Sequence, residues 1–168
     1  MSIYDKYVLP KLLDCCCSME GFQKKRAQIV PMAYGRVLEI GIGSGLNFDF
    51  YDFDKVSEIV GVDPAVSSVA IAKSRAIKHQ SKISFVETTA ESIDLESSSF
   101  DSAVVGYSLC TIPDPIQALN EVHRLLKPNG SLFFMEHGLS PEPNIQKLSL
   151  IHISEPTRPL YISYAVFC

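Results

Sequence analysis

The chain has 168 residues, of which 46% are hydrophobic and 20% are charged, and this composition indicates one globular domain. Its formal net charge of −4 argues against a nucleic-acid partner, and the basic cluster Lys24-Lys25-Arg26 is predicted to be a solvated helix face. No apolar run approaches the roughly 18–20 residues that a membrane-spanning helix needs, and the N-terminus lacks the profile of a signal peptide. We therefore expect neither a nucleic-acid partner nor an integral membrane segment.

The chain contains five cysteines, three of them consecutive at positions 15 to 17. Adjacent cysteines lack the geometry to bridge each other, and no cysteine has the spacing of a metal site with another cysteine or a histidine. We therefore expect no metal and a reducing compartment, which indicates a cytoplasmic location. Small packing residues on a helix are the favoured interpretation of the triplet, and a lipidated or metal-binding patch is the alternative.

Hydrophobic patterning predicts strands and helices that alternate along the chain. In chain order the predictions are a helical segment over Leu9–Met32 with Gly21 as a candidate interruption, strands at Val37–Ile40 and Glu58–Val62, a helix over Ala65–His79, strands at 83–87 and 102–107, a helix that begins at Pro115, and a strand at 131–136. This order predicts an α/β fold with a Rossmann-like open, mostly parallel sheet and helices on both of its faces. Sheets of this kind bind ligands beyond the carboxyl ends of their strands.

The helix that follows the fourth strand has the clearest start signal. Asp114 is the predicted N-cap, Pro115 suits the first helical position, and Gln117 stands where a capping-box partner belongs. We expect two sets of residues to face the sheet: Val66, Val69, Ala72 and Ala76 on the earlier helix, and Ile116, Leu119, Val122 and Leu126 on this one. The sequence KPNG is expected to end the helix at Pro128 and to turn the chain.

Three glycines, Gly41, Gly43 and Gly45, follow the first strand in the stretch VLEIGIGSGLN. A dinucleotide-binding loop would have its third glycine at position 46, which is Leu46. Glu39 stands two residues before the first glycine, and a pyrophosphate would gain nothing from a nearby carboxylate. Both features favour a ligand that is cationic, or at least not an anion, although this glycine pattern alone is a weak signal.

Carboxylates follow the next two strands at the same predicted edge. Asp63 ends the second strand, where an acidic side chain can accept both hydroxyls of a ribose; the alternative is a turn residue before Pro64. Ala90 and Glu91 follow the third strand, and Ala90 offers a small surface on which a flat base could lie. Plain solvated charge is the alternative for Glu91.

Several motifs in this order resemble those of one known family: VLEIGIGSG, GVDP, TTAES, DSAVVGYSLCTIPDP and FFMEHG. Over roughly residues 30–147 the chain resembles the class I S-adenosylmethionine-dependent methyltransferases. It is similar to the methyltransferase type 11 and ubiquinone-biosynthesis-like group, and GSGLNFDFY and FFMEHG lean toward the thiol methyltransferase-like branch. The resemblance implies S-adenosylmethionine as cofactor and a small-molecule acceptor, with a thiol as one candidate.

The resemblance also implies roles for individual residues. Gly41, Gly43 and Gly45 approach the methionine part of the cofactor, with Glu39 oriented to its amino end or to the loop. The remaining implied cofactor contacts are Asp63 with the ribose, Pro64 and Ala65 near the adenine, Thr89, Ala90 and Glu91 beside the base, and Ser108, Leu109 and Cys110 at the methyl-donor end. Many relatives carry Asp where this chain has Thr89.

Methyl transfer from a sulfonium requires alignment of nucleophile, carbon and sulfur, and oriented placement can supply on the order of 7–11 kcal/mol of a barrier. An oxygen or thiol acceptor is a better nucleophile when ionised, and His137, at the end of the fifth strand, is the best-placed candidate base. The alternative is that His137 caps the strand or orients a neighbour. We expect Cys110 to be a small buried hydrophobe rather than a sulfonium contact.

The C-terminal part departs from the family, whose fold adds a helix and two more strands after the fifth. We therefore predict an N-terminal helical segment at residues 1–32, an incomplete methyltransferase domain at 33–147, and a non-native tail at 148–168; a genuine terminal hairpin is the alternative. An incomplete sheet would leave an edge beside strand five that favours self-association. Two other functions stay open: an inactive or non-catalytic cofactor-binding fragment, and a nicotinamide-dependent oxidoreductase, which Leu46 and Glu39 disfavour.

Overall fold

A computed structural model describes residues 14, 15 and 17–136 of the chain. The helices and strands are, in chain order, α1 (Glu20–Ile29), β1 (Gly35–Ile40), β2 (Val56–Val62), α2 (Val66–Arg75), β3 (Ile83–Val86), β4 (Phe100–Gly106), α3 (Pro115–Leu125) and β5 (Leu126–Met135). Short 3-10 turns follow α1 and α2, and two others lie within the loops after β1 and β4. His137, the tail from Leu148 and the start of the predicted helical segment lie outside the described residues.

The five strands form one sheet in the order β3-β2-β1-β4-β5, and every pair is parallel. From β1 the chain builds outward through β2 and β3, then returns to the other side of β1 to add β4 and β5. The predicted α/β class and Rossmann-like parallel sheet are therefore confirmed. No helix in the described part of the chain is long and apolar enough to cross a membrane.

The core consists of two apolar layers, one on each face of the sheet. Successive strand residues point to opposite faces, so Val37 joins the layer beneath α2, and Leu38 and Ile40 join the layer beneath α3. The buried residues are Val69 and Ala72 from α2, Ala76 from the 3-10 turn that follows α2, and Ala118, Val122 and Leu125 from α3. By the same alternation Glu39 lies on the face of the sheet that α2 covers.

Two of the residues predicted to face the sheet do not. Val66 is 61% exposed and Ile116 is 64% exposed. Both occupy the first turn of a helix that the chain enters from a loop at the carboxyl edge of the sheet, and this turn is not covered by the face of the sheet. The other predicted residues of this stripe are buried: Val69 and Ala72 in α2, and Ala76 in the 3-10 turn that follows it.

The predicted turn at KPNG is instead part of β5. Helix α3 ends at Leu125, and Leu126 already pairs with Phe100 of β4. The register then shifts, so that Ser131 pairs with Ser102, and the extra residues form a bulge in which Asn129 has φ of +67°. Proline and asparagine-glycine usually mark a turn, but a bulge accommodates the same residues while strand pairing continues on both sides.

The N-terminal segment also differs from its prediction. The backbone becomes extended at Met19, with φ of −60° and ψ of 149°, and Gly21 lies inside α1. The basic cluster is not uniformly solvated, because Arg26 is only 5% exposed. Its guanidinium is directed toward the loop that follows β1, as described below.

Candidate functional site

The carboxyl ends of β1, β2 and β4 meet where the strand order reverses. Ile40, the last residue of β1, pairs with Val62 of β2 on one side and with Val105 of β4 on the other. The glycine loop follows β1, and the loops after β2 and β4 flank it. In open parallel sheets a crevice at this position is the usual ligand site.

The three glycines of the loop have positive φ values of 68°, 51° and 78°, but they differ in what surrounds them. A Cβ on Gly41 would lie 2.3 Å from the Cβ of Ser108, and one on Gly45 would lie 2.5 Å from the ring of Phe48. A Cβ on Gly43 would meet nothing nearer than a backbone oxygen at 3.9 Å. The protein's own packing therefore requires Gly41 and Gly45, whereas Gly43 keeps the backbone open to a ligand.

Asp63 connects the end of β2 to the glycine loop. One carboxylate oxygen accepts a hydrogen bond from the amide of Gly43 at 2.9 Å, and the other accepts one from the amide of Ala65 at 2.8 Å. The bond to Ala65 is a turn contact, and it agrees with the alternative prediction that Asp63 is a turn residue before Pro64. The side chain is 9% exposed, and a carboxylate offers about four lone-pair positions, so acceptor capacity remains at the opening.

Glu39 is buried beneath the loop, with 1% of its surface exposed. Asn47 donates to one of its oxygens through its side-chain amide, and Tyr51 donates to the other through its hydroxyl, both at 2.8 Å. Burial raises the pKa of Glu39 to about 7, although the hydrogen bonds from Tyr51 and Asn47 and the charge of Arg26 act in the opposite direction. The structure directs this carboxylate to the loop, which is one of the two orientations that the resemblance implies.

The loop after β4 is held by the end of β5. The amides of Ser108 and Leu109 both donate to one oxygen of Glu136, at 2.8 and 2.9 Å. The hydroxyl of Ser108 donates to the carbonyl of Ile40 at 3.1 Å, which fixes this loop against the start of the glycine loop. The loops after β1 and β4 therefore form one connected unit.

Cys110 is exposed rather than buried, which corrects the expectation from sequence. Residues 109–111 form a 3-10 turn past the end of the sheet, so the thiol does not enter either core layer. Partial desolvation and the charge of Glu136 raise the pKa of the Cys110 thiol. The thiol is therefore protonated at neutral pH and is a poor nucleophile.

The loop after β3 is anchored to the start of α3. A carboxylate oxygen of Glu91 accepts from the amide of Asp114 at 3.3 Å, so Glu91 is not simply solvated charge. Ala90 is buried in the layer beneath α3, whereas Thr89 is exposed. Pro64, which follows Asp63 after the end of β2, is also exposed.

Sequence reasoning did not identify the residues that connect these loops: Asp14, Arg26, Asn47, Tyr51 and Glu136. A carboxylate inside an apolar strand requires hydrogen-bond donors, and Asn47 and Tyr51 are among the polar residues that follow the loop, so this requirement could have found them. Arg26 carried no such signal, because it is one of three consecutive basic residues on a helix.

Comparison with known proteins decides the family. The pattern that describes the Methyltransferase domain family matches residues 38–134, which span β1 to β5. The chain belongs to the class I S-adenosylmethionine-dependent methyltransferases. The nicotinamide-dependent oxidoreductases of related topology are thus not its family.

The match between this methyltransferase and its individual relatives covers only part of each relative's length. The chain is 34% identical over 127 residues to the thiol S-methyltransferase TMT1B of Rattus norvegicus, covering 72% of this chain and 50% of that protein. It is 28% identical over 142 residues to the mitochondrial methyltransferase OMS1 of Saccharomyces cerevisiae, covering 74% of this chain and 30% of that protein. A solved S-adenosylmethionine-dependent methyltransferase of Thermotoga maritima superposes with a TM-score of 0.66 at 26% identity, covering 89% of this chain and 66% of that one. The chain thus spans half or less of these two curated relatives.

Proposed function

We propose that the chain binds S-adenosylmethionine in the crevice at the carboxyl edge of its sheet and transfers the methyl group to a small-molecule acceptor. The observation that carries the proposal is the pairing of Gly43 with Asp63 beside the point where the strand order reverses. An open backbone position and a carboxylate stand next to each other there, and a carboxylate can accept hydrogen bonds from the hydroxyls of a ribose.

The residues present fit this cofactor. The space beside Gly43 is the space that a Cβ would fill, and it admits a ligand against the backbone. The lone pairs that Asp63 retains suit the hydroxyls of a ribose. The carboxylate of Asp63 lies against the amide of Gly43, and its charge suits a cation better than a pyrophosphate.

When bound, the cofactor supplies an electrophilic methyl group on a sulfonium sulfur. The chain's own residues bind and orient it: Gly43 and Asp63 hold the nucleoside side, and Pro64, Ala65, Thr89, Ala90 and Glu91 form the proposed surface for the base. Ser108, Leu109 and Cys110 form the proposed methyl-donor end, where Glu136 fixes the backbone. Gly41 and Gly45 contribute by allowing the loop to pack, and Glu39 contributes through Asn47 and Tyr51.

Calorimetric titration with S-adenosylhomocysteine tests the binding. We expect saturable binding by the wild-type chain and a loss of affinity of at least about tenfold in Asp63→Ala, because both the ribose acceptor and the restraint on Gly43 are removed. Asp54→Asn, which changes an exposed acidic residue in the turn before β2, is the matched control and should bind as the wild type does. Absence of binding by the wild type would overturn the proposal.

We propose a thiol as the first acceptor to test, supported by the similarity to a protein named as a thiol S-methyltransferase. A small aryl thiol and the corresponding phenol, each supplied with methyl-labelled cofactor, separate sulfur from oxygen acceptors. We expect label on the thiol at a rate above the uncatalysed one. Cofactor binding without transfer to any acceptor would instead support the non-catalytic alternative.

His137 remains the proposed general base. The experiment is the pH dependence of thiol methylation in the wild type and in His137→Ala. A base that ionises the acceptor requires the variant's rate to fall most near neutral pH and to recover as the acceptor ionises by itself at higher pH. An unchanged rate across this range would remove His137 from the reaction.

We also propose self-association through β5, since its outer edge has no strand partner among residues 14–136. Sedimentation at increasing protein concentration tests it, and a constant monomer mass would contradict it.

The cytoplasm remains the proposed compartment, and fractionation of cells that express a tagged chain would reveal a mitochondrial location instead.

A further inference from the structure

The N-terminal segment contacts the glycine loop at two separate points. At the first, the hydroxyl of Ser44, between Gly43 and Gly45, donates to the carboxylate of Asp14. Arg75 at the end of α2 completes this contact, because its guanidinium donates to both oxygens of Asp14 at 2.6 and 2.8 Å and to the carbonyl of Ser44 at 2.8 Å. Ser44 is therefore held by its side chain and by its backbone.

At the second point, Arg26 of α1 reaches the far end of the loop. Its Nε donates to the side-chain oxygen of Asn47 at 3.0 Å, and its terminal nitrogen donates to the carbonyl of Cys17 at 2.7 Å. The guanidinium lies 5.4 Å from the ring centre of Tyr107, in the loop after β4. One buried side chain thus joins the N-terminal segment to the loops that follow β1 and β4.

These contacts continue into the network around Glu39. The amide of Asn47 accepts from Arg26 and donates to Glu39, so the positive and negative groups are connected through one residue of the loop. A buried charge is tolerated only where it is paired and hydrogen-bonded, so withdrawing Arg26 would leave Asn47 and Glu39 incompletely compensated. Docking of α1 and the conformation of the loop are therefore energetically coupled.

We propose that Asp14 and Arg26 are positioning residues for the cofactor: the N-terminal segment clamps the glycine loop at Ser44 and Asn47 and thereby sets the affinity of the crevice for its nucleoside ligand. This inference rests on the proposed function. The clamp acts before binding. A loop that is already ordered loses less conformational entropy when the ligand arrives, and the gain appears as tighter binding without a new ligand contact.

Hydrogen exchange in the ligand-free protein tests the clamp without reference to activity. The amide of Gly43 is bonded to Asp63, and the amide of Gly45 is bonded to the carbonyl of Ile42 at 2.9 Å, so both report the closed loop. We expect both amides to exchange about tenfold faster in Asp14→Ala and in Arg26→Gln. Lys24→Gln and Glu20→Gln, which remove charges of the same signs from an exposed pair on α1, should leave the exchange unchanged.

Titration with S-adenosylhomocysteine gives the second readout. We expect the affinity to fall about tenfold in Asp14→Ala and the KM for the cofactor to rise while the KM for the acceptor stays constant. Arg26→Lys retains the charge but not the fork that reaches Asn47 and Cys17 together, so it should fold and still bind weakly. Arg26→Lys therefore still tests the role of Arg26 if Arg26→Gln does not fold.

Wild-type exchange and wild-type affinity in both Asp14→Ala and Arg26→Lys would overturn the clamp and leave the contacts as simple docking of the helix. Failure of the wild type to bind S-adenosylhomocysteine would instead count against the proposed function. The exchange measurements in the ligand-free protein would still decide whether Asp14 and Arg26 hold the loop.

Discussion

Glu39 combines nearly complete burial with a hydrogen bond to each carboxylate oxygen, and the two effects oppose each other. Burial favours the protonated form, whereas the bonds from Asn47 and Tyr51 favour the ionised form. Burial is the larger effect, so the side chain changes charge near neutral pH. The residue that supports the glycine loop therefore also responds to pH in the neutral range.

This balance predicts how stability depends on pH. The pKa of Glu39 is about 7 in the folded chain against an ordinary value of 4.5, so the folded state binds the proton more tightly. The contribution of Glu39 to the unfolding free energy is fully present below pH 4.5 and is lost as the pH rises to about 7, by on the order of 3 kcal/mol. Urea unfolding of the wild type and of Glu39→Gln between pH 4.5 and 8 measures it. The difference between the two proteins should change across this window, and a constant difference would refute the assignment.

Substitutions at two glycines of the loop should distinguish a role in packing from a role in ligand binding. Gly41→Ala would place a methyl group against Ser108 and should cost roughly 3 kcal/mol of unfolding free energy. Gly43→Ala meets only open space, so its cost is the left-handed backbone alone, about 1 kcal/mol, yet it should lose most of the affinity for S-adenosylhomocysteine. Unfolding and titration of both variants compare the two effects, and equal stability losses would contradict the distinction.

At the scale of the elements, the start of helix α3 shows which part of a capping signal in the sequence is formed in the structure. Asp114 accepts from the amide of Gln117 at 3.0 Å, as an N-cap should, but the side chain of Gln117 donates to the carbonyl of Glu91 instead of returning to the cap. Asp114→Ala should lower the unfolding free energy by about 1 kcal/mol, and Asp114→Asn should retain most of it. Gln117→Ala, which leaves the cap bond in place, should change stability much less. A larger loss of unfolding free energy in Gln117→Ala than in Asp114→Ala would show that the N-cap does not stabilise the start of α3.

The strands, the start of α3 and the glycine loop were predictable because each depends on residues that are close in sequence. The first strand shows apolar residues at Val37, Leu38 and Ile40, and Asp114-Pro115 carries its own cap. The burial of Arg26 was not predictable, since its partner Asn47 is 21 residues away and nothing local distinguishes it from Lys24. The exposure of Ile116 was missed because helical periodicity identifies a face of the helix but not where the sheet beneath it ends.

At the scale of the whole molecule, the site draws on strands from both halves of the sheet. The glycine loop follows β1, Asp63 ends β2, and the loop after β4 is bonded to β1 through Ser108 and to the end of β5 through Glu136. A ligand that contacts these loops together binds only the folded chain. Binding should therefore be visible as stability of the entire domain and not only of the loop.

S-adenosylhomocysteine at about 100 times its Kd should raise the unfolding free energy by roughly 2.7 kcal/mol, because the unfolded chain does not bind it. For a chain of this length the increase corresponds to a rise in Tm of about 5–10 °C. NADH at the same concentration is the control for a dinucleotide, and we expect no shift, since Leu46 replaces the third glycine of a dinucleotide-binding loop and the carboxylate of Asp63 lies beside Gly43. Thermal unfolding followed by circular dichroism measures both. Stabilisation by NADH without stabilisation by S-adenosylhomocysteine would contradict the assignment of the crevice to a sulfonium nucleoside.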